Sequence, residues 1–273
     1  MRYIKNKLSK YKILTHIYGT SLKMIDYSKS NFICTLNGGL NKEQIKSFKN
    51  IHSGKRCFII GNGPSLKGSD LDKLKGEITF AANRIDPIFR ETEWRPKYYC
   101  AFDDGFIKNK DNHKYIELID SDIKFLRKQG YYYSRKIKGN KCYLNTRYSR
   151  RYLNNPKFSR NISDYVYTIG TVTYTSIQIA AYMGIKEIYF IGVDNSYANE
   201  RKEDGTLIKN NETKNYFGNK EINNGFSAVY EMDIAYEAAK NYADKNGIKI
   251  YNATRGGKLE IFERVEFDTL FIK

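Results

Sequence analysis

Short apolar runs alternate with helix-like segments along the chain from residue 57 onward, and polar residues follow most of the runs. Such runs fit strands that are buried on both faces of a parallel sheet. Their alternation with helices predicts an α/β protein with a Rossmann-like, doubly wound and mostly parallel sheet. Strands are predicted at 57–60, 77–82, 97–102, 131–133, 142–144, 187–191 and 248–251, and helices at 115–126, 171–183 and 229–243.

The first apolar run ends at a glycine-rich turn, and a helical pattern of leucines follows the turn. A strand, a glycine turn and a helix leave backbone N–H groups free to face an anion. The glycines let the backbone approach a ligand, the proline fixes φ, and Ser65 or Ser69 is expected to cap the helix. The pattern is neither a Walker loop nor a complete G-x-G-x-x-G, so nucleotide binding competes with an ordinary turn. The turn consists of Gly61, Asn62, Gly63, Pro64 and Ser65.

Polar side chains also follow four further predicted strands. Ligands of doubly wound sheets bind beyond the carboxyl ends of the strands, so these residues and the glycine turn are predicted to form one site. For each aspartate, the alternative is that it caps the next helix or accepts hydrogen bonds from loop amides. The residues are Asn83, Arg84, Asp103, Asp104, Asp194, Asn252 and Arg255.

The polar segment 195–227 is rich in asparagine and lacks periodicity, as expected of a mobile lid over a substrate. The lid is predicted to belong to a catalytic domain of residues 55–273. A basic N-terminal extension of residues 1–54 is predicted to precede that domain, and its weak helical pattern is typical of a short interfacial helix.

The net charge of +17 over 273 residues is unevenly distributed. Residues 1–56 contain twelve Lys and Arg against Asp26 and Glu43, and residues 135–160 contain nine basic and no acidic residues. Such patches fit an anionic membrane surface, a phosphate-bearing substrate or nucleic acid. A lysine-rich composition alone accounts for part of the excess. Nucleic acid is the least favoured partner, because only the charge supports it.

The four cysteines show no C-x-x-C spacing, and no apolar run approaches the length of a membrane span. No signal peptide is recognisable. A reduced cytoplasmic protein is therefore expected, either free or peripheral at the inner face of the membrane, with neither disulfides nor a zinc site.

Three stretches of the sequence resemble known families: 58–67 with Asn83, then 184–194, then 250–259. The first two stretches, Phe-Ile-Ile-Gly-Asn-Gly-Pro-Ser-Leu-Lys and Gly-Ile-Lys-Glu-Ile-Tyr-Phe-Ile-Gly-Val-Asp, look like the bacterial sialyltransferases that use CMP-activated sugars. They also resemble the hydroxymethylpterin-diphosphokinase-like family, which includes the central domains of flagellin-modifying, motility-accessory-factor-like glycosyltransferases. The third stretch, Ile-Tyr-Asn-Ala-Thr-Arg-Gly-Gly-Lys-Leu, is closer to the latter group.

The resemblance implies a sialyltransferase-like glycosyltransferase that moves a sugar, a nonulosonic acid from a CMP-sugar, onto a surface glycan or lipid-linked acceptor. It implies no cofactor besides this donor substrate, and no metal. It places Asn62 and Asn83 against the nucleotide and Thr171 against its base or sugar. Asp103 falls near a position that touches the nucleotide sugar, and Tyr197 near a lid tyrosine that stabilises the leaving phosphate.

One departure from the sialyltransferase pattern concerns the general base. Those enzymes end the lid with Tyr-x-Gly-His, whereas the nearest match here is Tyr-Phe-Gly followed by Asn219. Asparagine cannot accept a proton at neutral pH. A strand-end carboxylate, Asp194 first and Asp103 second, is therefore predicted to act as the base if its surroundings raise its pKa. Asn219 and Asp104 are expected to orient the substrate.

A diphosphokinase is the alternative enzyme for the same crevice. It would bind Mg-ATP, with Asp103 and Asp104 as oxygen ligands of Mg²⁺ and the tyrosines at 131–133 stacking a pterin. The glycosyltransferase is expected to need no metal, because Arg84, Arg255 and lid hydroxyls stabilise the leaving nucleotide. Metal dependence separates the two enzymes.

Overall fold

One large sheet organises the computed structural model, which describes residues 24–25, 28–30, 32–36, 41–148, 151–209 and 226–272. The strands in chain order are β1 (Arg56–Ile60), β2 (Ile78–Ala82), β3 (Tyr98–Ala101), β4 (Ile123–Arg127), β5 (Lys141–Leu144), β6 (Thr146–Arg147), β7 (Val166–Tyr167), β8 (Glu187–Ile191), β9 (Asn199–Arg201), β10 (Leu207–Lys209), β11 (Lys249–Asn252) and β12 (Glu263–Arg264). The sheet has the order β12-β11-β8-β1-β2-β3-β4-β5, and its neighbouring strands pair in parallel. The predicted fold class is confirmed.

Helices and turns connect the strands over the two faces of this sheet. The helices are α1 (Lys42–Ser47), α2 (Gly68–Asp72), α3 (Asp104–Lys108), α4 (His113–Leu118), α5 (Tyr131–Ser134), α6 (Arg151–Asn154), α7 (Val172–Tyr182) and α8 (Val229–Lys245). Residues 24–25, 28–30 and 32–36 are also helical and are called the N-terminal helical segment below. Short 3₁₀ turns occupy Asp86–Arg90, Lys110–Asn112, Lys128–Gly130 and Phe267–Phe271.

Two predicted elements are wrong. The helix expected at 115–126 ends at Leu118, and its second half is instead the central strand β4. The strand expected at 131–133 is the helix α5. Tyrosine favours strands on average, but here Tyr131 packs edge-on against Tyr143, with ring centroids 4.7 Å apart. This tertiary contact overrides the local propensity.

The sheet is buried on both faces, as alternate residues of β1 show. Cys57 and Ile59 belong to one apolar cluster, which α7 and α8 cover, whereas Phe58 and Ile60 belong to a second cluster on the opposite face. Because successive side chains of a strand point to opposite sides, a short continuous apolar run is what a doubly covered strand requires.

The described part of the predicted N-terminal extension packs against this core. Ile45 and Phe48 of the α1 region lie in the first apolar cluster, and Cys34 lies in the second. The backbone N–H of His52 also donates to the carbonyl of Met183 at 2.9 Å. The expected domain boundary at residue 54 therefore does not coincide with an edge of the core. Residues 1–23 lie outside the described part.

The four cysteines are free and buried, and Cys57, Cys100 and Cys142 lie on the strands β1, β3 and β5. Burial raises the pKa of the Cys100 and Cys142 thiols to about 12, so both remain protonated packing groups. Across the described ranges, none of the helices combines the length and apolar character that a membrane crossing requires.

Candidate functional site

The strand order changes direction at β1, which has β8 on one side and β2 on the other. In an open parallel sheet, the loops that leave two such strands diverge and open a crevice at their carboxyl ends. The loop after β1 is the glycine turn, and the loop after β8 carries Asp194. The loop after β11 joins them, since the Thr254 hydroxyl accepts a hydrogen bond from the Val193 N–H at 3.1 Å. The sequence-predicted strand ends thus do meet at one edge.

The two glycines of the turn are required by the contact between the β1 and β8 loops. The N–H groups of Gly61 and Gly63 donate to the carbonyls of Ile191 and Gly192, each at 2.8 Å. A Cβ on Gly61 would overlap the Gly192 carbonyl, and one on Gly63 would overlap the Asp194 carboxylate. The glycines are therefore needed for the close packing of these two loops, whereas the sequence analysis explained them by the close approach of a ligand.

The helix cap expected from Ser65 or Ser69 is wrong. Helix α2 begins at Gly68 and has only five residues, and its N-cap residue Lys67 makes no side-chain capping bond. The Ser65 hydroxyl donates instead to Asp194 Oδ2 at 2.7 Å. Ser65, which the sequence rules assign to a helix start, thus links the loops that follow β1 and β8.

Asp194, in the loop after β8, contacts both the loop after β1 and the loop after β11. Its side chain is buried, its carboxylate accepts the Ser65 hydrogen bond, and its carbonyl accepts from the Lys258 N–H at 2.7 Å. Burial raises the pKa of Asp194, and the hydrogen bonds from Ser65 oppose that shift. A carboxylate in this environment is a stronger proton acceptor than an exposed one. This is the property that the sequence-based hypothesis of a base required.

Three asparagines at the strand ends hold unsatisfied amide oxygens. The side-chain oxygens of Asn62, Asn83 and Asn195 are buried and have no hydrogen-bond partner in the described structure. Asn83 and Asn195 also adopt left-handed backbone conformations, each with φ of 49°. Unsatisfied acceptors and left-handed backbone carry a free-energy cost. Their concentration at one edge is typical of a binding site more than of a plain turn.

Tyr197 and Thr171 lie on the side of the crevice that α7 and α8 form. Burial and the nearby carboxylates of Asp194 and Asp233 raise the pKa of Tyr197, so its hydroxyl stays a proton donor. Thr171 caps α7 by accepting from the Thr173 N–H at 3.2 Å. The Thr171 hydroxyl also hydrogen-bonds to Tyr236, whose pKa burial raises to about 12. Thr171 therefore has structural partners in addition to its predicted nucleotide contact.

The two arginines expected at the leaving phosphate are already engaged. Arg84 Nε lies 2.7 Å from Asp86 Oδ1, and its guanidinium lies over the Tyr115 ring at 3.5 Å. Arg255 bonds to the carboxylates of Asp70 and Asp268, each at 2.9 Å. These ion pairs brace the carboxyl edge. A role in binding phosphate would require either arginine to leave its partner.

Asn252 is similarly occupied, because its amide donates to the Leu259 carbonyl and accepts from the Thr254 N–H. It closes the loop after β11. This loop holds Asp194 through the Lys258 N–H. Asn252 thus contributes to the site by positioning and does not face the crevice with a free polar group.

Asp103 takes the capping role that the sequence gave as the alternative, whereas Asp104 is engaged in ion pairs. Asp103 caps α3 by accepting from the Phe106 N–H at 2.6 Å. Asp104 forms ion pairs with Lys108 at 3.1 Å and Arg127 at 3.7 Å. Within the described ranges, no group of three or more potential ligands is placed to hold a metal ion. Asn219 and residues 210–225 of the predicted lid lie outside the described residues.

Two acidic residues near the start of α8, Glu231 and Asp233, were not expected at the site. Asp233 Oδ1 accepts a hydrogen bond at 2.8 Å from the side-chain amide of Asn195, the residue that follows Asp194 in the chain. Glu231 is buried and pairs with Arg201 of β9 at 3.4 Å. They follow no strand, so the strand-end rule does not find them. The only sequence signal is a pair of carboxylates spaced by two at a helix start.

A broad groove of about 1000 Å³ lies at the opposite, amino-terminal edge of the sheet. Its charged residues are largely paired with each other, as Arg56 with Glu77 at 2.5 Å and Lys97 with Asp122 at 2.7 Å. The strand-end polar residues do not line it. The candidate site therefore remains at the carboxyl edge, although the groove at the amino-terminal edge is large.

A family model described as 6-hydroxymethylpterin diphosphokinase MptE-like matches residues 30–200, which is more than half of the chain. The fold is similar to that of the MAf glycosyltransferase from Magnetospirillum magneticum AMB-1, with a TM-score of 0.50 and 13% identity. That match covers 86% of this chain and 40% of the other, so the chain spans less than half of that protein. At this identity the likeness shows the fold alone.

Two further solved structures have TM-scores too low to support any conclusion. One is UDP-glucose 4-epimerase from Thermotoga maritima, with a TM-score of 0.25 and 10% identity over 72% of this chain and 54% of that chain. The other is the Bordetella bronchiseptica enzyme WbmH, with a TM-score of 0.24 and 11% identity over 74% of this chain and 56% of that chain. No curated protein matches the chain.

Proposed function

The chain belongs to the 6-hydroxymethylpterin diphosphokinase MptE-like family, and on that premise we propose that it is a nucleotide-sugar-dependent glycosyltransferase. The observation that carries this proposal is the fold shared with the MAf glycosyltransferase over 86% of the chain. The buried Asp194, held by Ser65 where the strand order reverses, adds a group suited to accepting a proton.

The proposed donor is a CMP-sugar that carries a nonulosonic acid. The glycine turn and the ends of β2 and β8 would bind its nucleotide, with Asn62 and Asn83 as the contacting amides. Their unsatisfied oxygens support this role, because a ligand donor such as a ribose hydroxyl would relieve the cost of burying them unpaired. The amides lie on neighbouring strand ends, as a nucleotide that spans the crevice requires.

In the proposed reaction, the hydroxyl of a glycan or lipid-linked acceptor attacks the anomeric carbon of the donor. Its proton passes to Asp194 as the new C–O bond forms, and the bond between the anomeric carbon and the phosphate oxygen breaks. The electron pair of that bond leaves with CMP. The Tyr197 hydroxyl, kept protonated by its raised pKa, would donate a hydrogen bond to the leaving phosphate. No step of this scheme uses a metal ion.

A diphosphokinase is the competing proposal, because the family description names that activity. Its Mg²⁺ would need free carboxylate oxygens near the nucleotide. Asp103 is committed to capping α3, and Asp104 is paired with Lys108 and Arg127. These engagements favour the glycosyltransferase.

We further place the reaction in the cytoplasm, at the inner surface of an anionic membrane. The net charge of +17 supports this placement, because a basic protein is attracted to anionic lipids that also hold lipid-linked acceptors.

A thermal-shift screen of the full chain against CMP, CDP, UDP, GDP and ATP, with and without Mg²⁺, tests the proposal. We expect stabilisation by CMP that is independent of Mg²⁺, because only ligands that bind the native state raise its melting temperature. Stabilisation by ATP alone, and only with Mg²⁺, would instead establish the diphosphokinase.

A further inference from the structure

The N-terminal helical segment has one buried and one apolar exposed side. Ser30 and Cys34 are 1% and 0% exposed and face the core. Ile25, Phe32 and Leu36 are 49%, 66% and 68% exposed. Phe32 and Leu36, which are four positions apart within the described run 32–36, lie on one helical face, roughly opposite Cys34. A helix with this pattern exposes the kind of apolar face that soluble proteins usually cover.

This segment packs against α5, which follows the carboxyl end of β4. The Tyr132 N–H donates to the Ser30 hydroxyl at 3.3 Å, and Tyr132 itself is 39% exposed, with the Arg135 guanidinium 4.7 Å from its ring. Burial raises the pKa of the Cys34 thiol, and the nearby Lys128 ammonium limits that increase. The fold thus places the described part of the basic N-terminal region beside Lys128 and the Tyr132–Arg135 pair.

The chain that contains α5 is rich in cations. Residues 127–160 contain no Asp or Glu, and Lys29 of the N-terminal helical segment and Lys136 are both exposed. Apolar side chains with a Tyr at the rim and Lys or Arg around them are the features of a helix that lies in a membrane interface. Nucleic acid would use the cations and aromatic rings but not the aliphatic side chains. A second copy of the chain would bring like charges together.

We propose that this docking face binds the surface of an anionic lipid bilayer. Its apolar side chains enter the boundary between headgroups and acyl chains, while the surrounding cations contact anionic headgroups. The docking face consists of Ile25, Lys29, Phe32, Leu36, Tyr132, Arg135 and Lys136.

The position of the docking face in the fold gives the bound protein an orientation. Helix α5 begins just beyond the carboxyl end of β4, at the same edge of the sheet as Asp194. Three strand steps separate β4 from β1, which corresponds to a lateral offset of about 14 Å from the glycine turn. The crevice would therefore lie beside the membrane. Access to a lipid-linked acceptor there rests on the proposed function, whereas lipid binding itself does not.

Co-sedimentation of the full chain with vesicles tests the docking face. Vesicles of phosphatidylcholine with phosphatidylglycerol should bind the protein, and vesicles of phosphatidylcholine alone should bind it far less. Phe32→Ser and Leu36→Ser should each weaken binding about tenfold, because each removes a large buried apolar side chain from the bilayer. Lys29→Glu and Lys136→Glu should each weaken it by about fivefold or more, and added salt should reduce that difference.

The matched controls lie at the opposite edge of the sheet. Leu118→Ser removes a leucine that is 66% exposed, and Lys75→Glu reverses an exposed charge, so neither should change vesicle binding. All these side chains are exposed, and circular dichroism should show parental melting. Equal binding to both vesicle types, or equal losses in test and control variants, would overturn the proposal. So would sedimentation velocity showing a dimer that Phe32→Ser dissociates, or binding of oligodeoxythymidylate with no binding to vesicles.

Discussion

The Ser65 hydroxyl donates a 2.7 Å hydrogen bond to the carboxylate of Asp194, across the junction between the β1 and β8 loops. The two residues are 129 positions apart in the chain. Their contact fixes the carboxylate at the place where the sheet changes strand order. Burial raises the pKa of Asp194, and this hydrogen bond limits the increase.

Ser65→Ala removes that donor and leaves the buried carboxylate with fewer partners. We expect a loss of about 1–3 kcal/mol in the free energy of unfolding, as for other buried groups that lose a hydrogen bond. The pKa of Asp194 should rise, so the acidic limb of the activity profile should move to higher pH. Urea unfolding and a pH profile measure the two effects. Ser69→Ala is the control, and an equal effect there would contradict a specific role for Ser65.

Gly63→Ala should destabilise the protein, because its Cβ would overlap the Asp194 carboxylate. Overpacking of this kind costs about 1–3 kcal/mol. Gly105→Ala is the matched control, since the Cβ there would meet its nearest atom, Asp103 Oδ1, at an ordinary 3.4 Å. Thermal melts of the two variants test this. Parental stability in Gly63→Ala would show that the loops can separate and that the glycine serves ligand approach alone.

Arg255→Met tests whether that arginine braces the fold or binds substrate. Arg255 is 31% exposed in its pairs with Asp70 and Asp268, and solvent screens such pairs. We expect a loss of about 1 kcal/mol or less in stability. The dissociation constant of CMP, measured by calorimetry, should be unchanged. A large loss of CMP affinity in a stable variant would instead support the substrate contact predicted from the sequence.

Asp194 should make the folded state less stable as pH rises. Its folded pKa is raised, so the folded state retains the Asp194 proton to higher pH than the unfolded state does. The stabilising contribution of this proton is present below the unfolded pKa and is lost as pH rises through the folded pKa. Asp194→Asn, which is neutral at every pH, should therefore melt higher than the parent at neutral pH. This difference should shrink as pH falls towards the ordinary carboxyl pKa. A constant difference across that range would contradict the raised pKa.

The strand pattern predicted most of the fold because a doubly covered parallel strand leaves a simple signal. Cys57 to Ile60 must be apolar throughout when alternate residues face two different cores. The exceptions have physical reasons. The segment 115–126 has apolar residues that fit both a helix and a strand, and α5 depends on a ring contact with Tyr143, which no local rule contains.

The sequence predicted which edge of the sheet holds the candidate site, but it did not predict the contacts within that edge. The strand-end rule predicted that the loops after β1 and β8 would meet. It could not predict that Ser65 bonds to Asp194, because that pairing depends on the register of β1 against β8. It also missed Asp233, whose carboxylate reaches the site from a helix. Side-chain partners of this kind appear only when the strands are assembled.

Release of CMP from CMP-N-acetylneuraminic acid, with water taking the place of the sugar acceptor and without added metal, is the measurement that tests the central claim most directly. Alongside it, calorimetry with CMP separates binding from turnover in the parent, in Asp194→Asn and in the control Asp103→Asn. We predict that the parent releases CMP. Asp194→Asn should bind CMP normally, but its turnover should be slower than that of the parent by about a hundredfold or more, as expected when a general base is lost. Asp103→Asn, which alters only a helix cap, should keep its rate. Near-parental turnover in Asp194→Asn, or a parent that neither binds CMP nor releases it from the donor, would contradict the account.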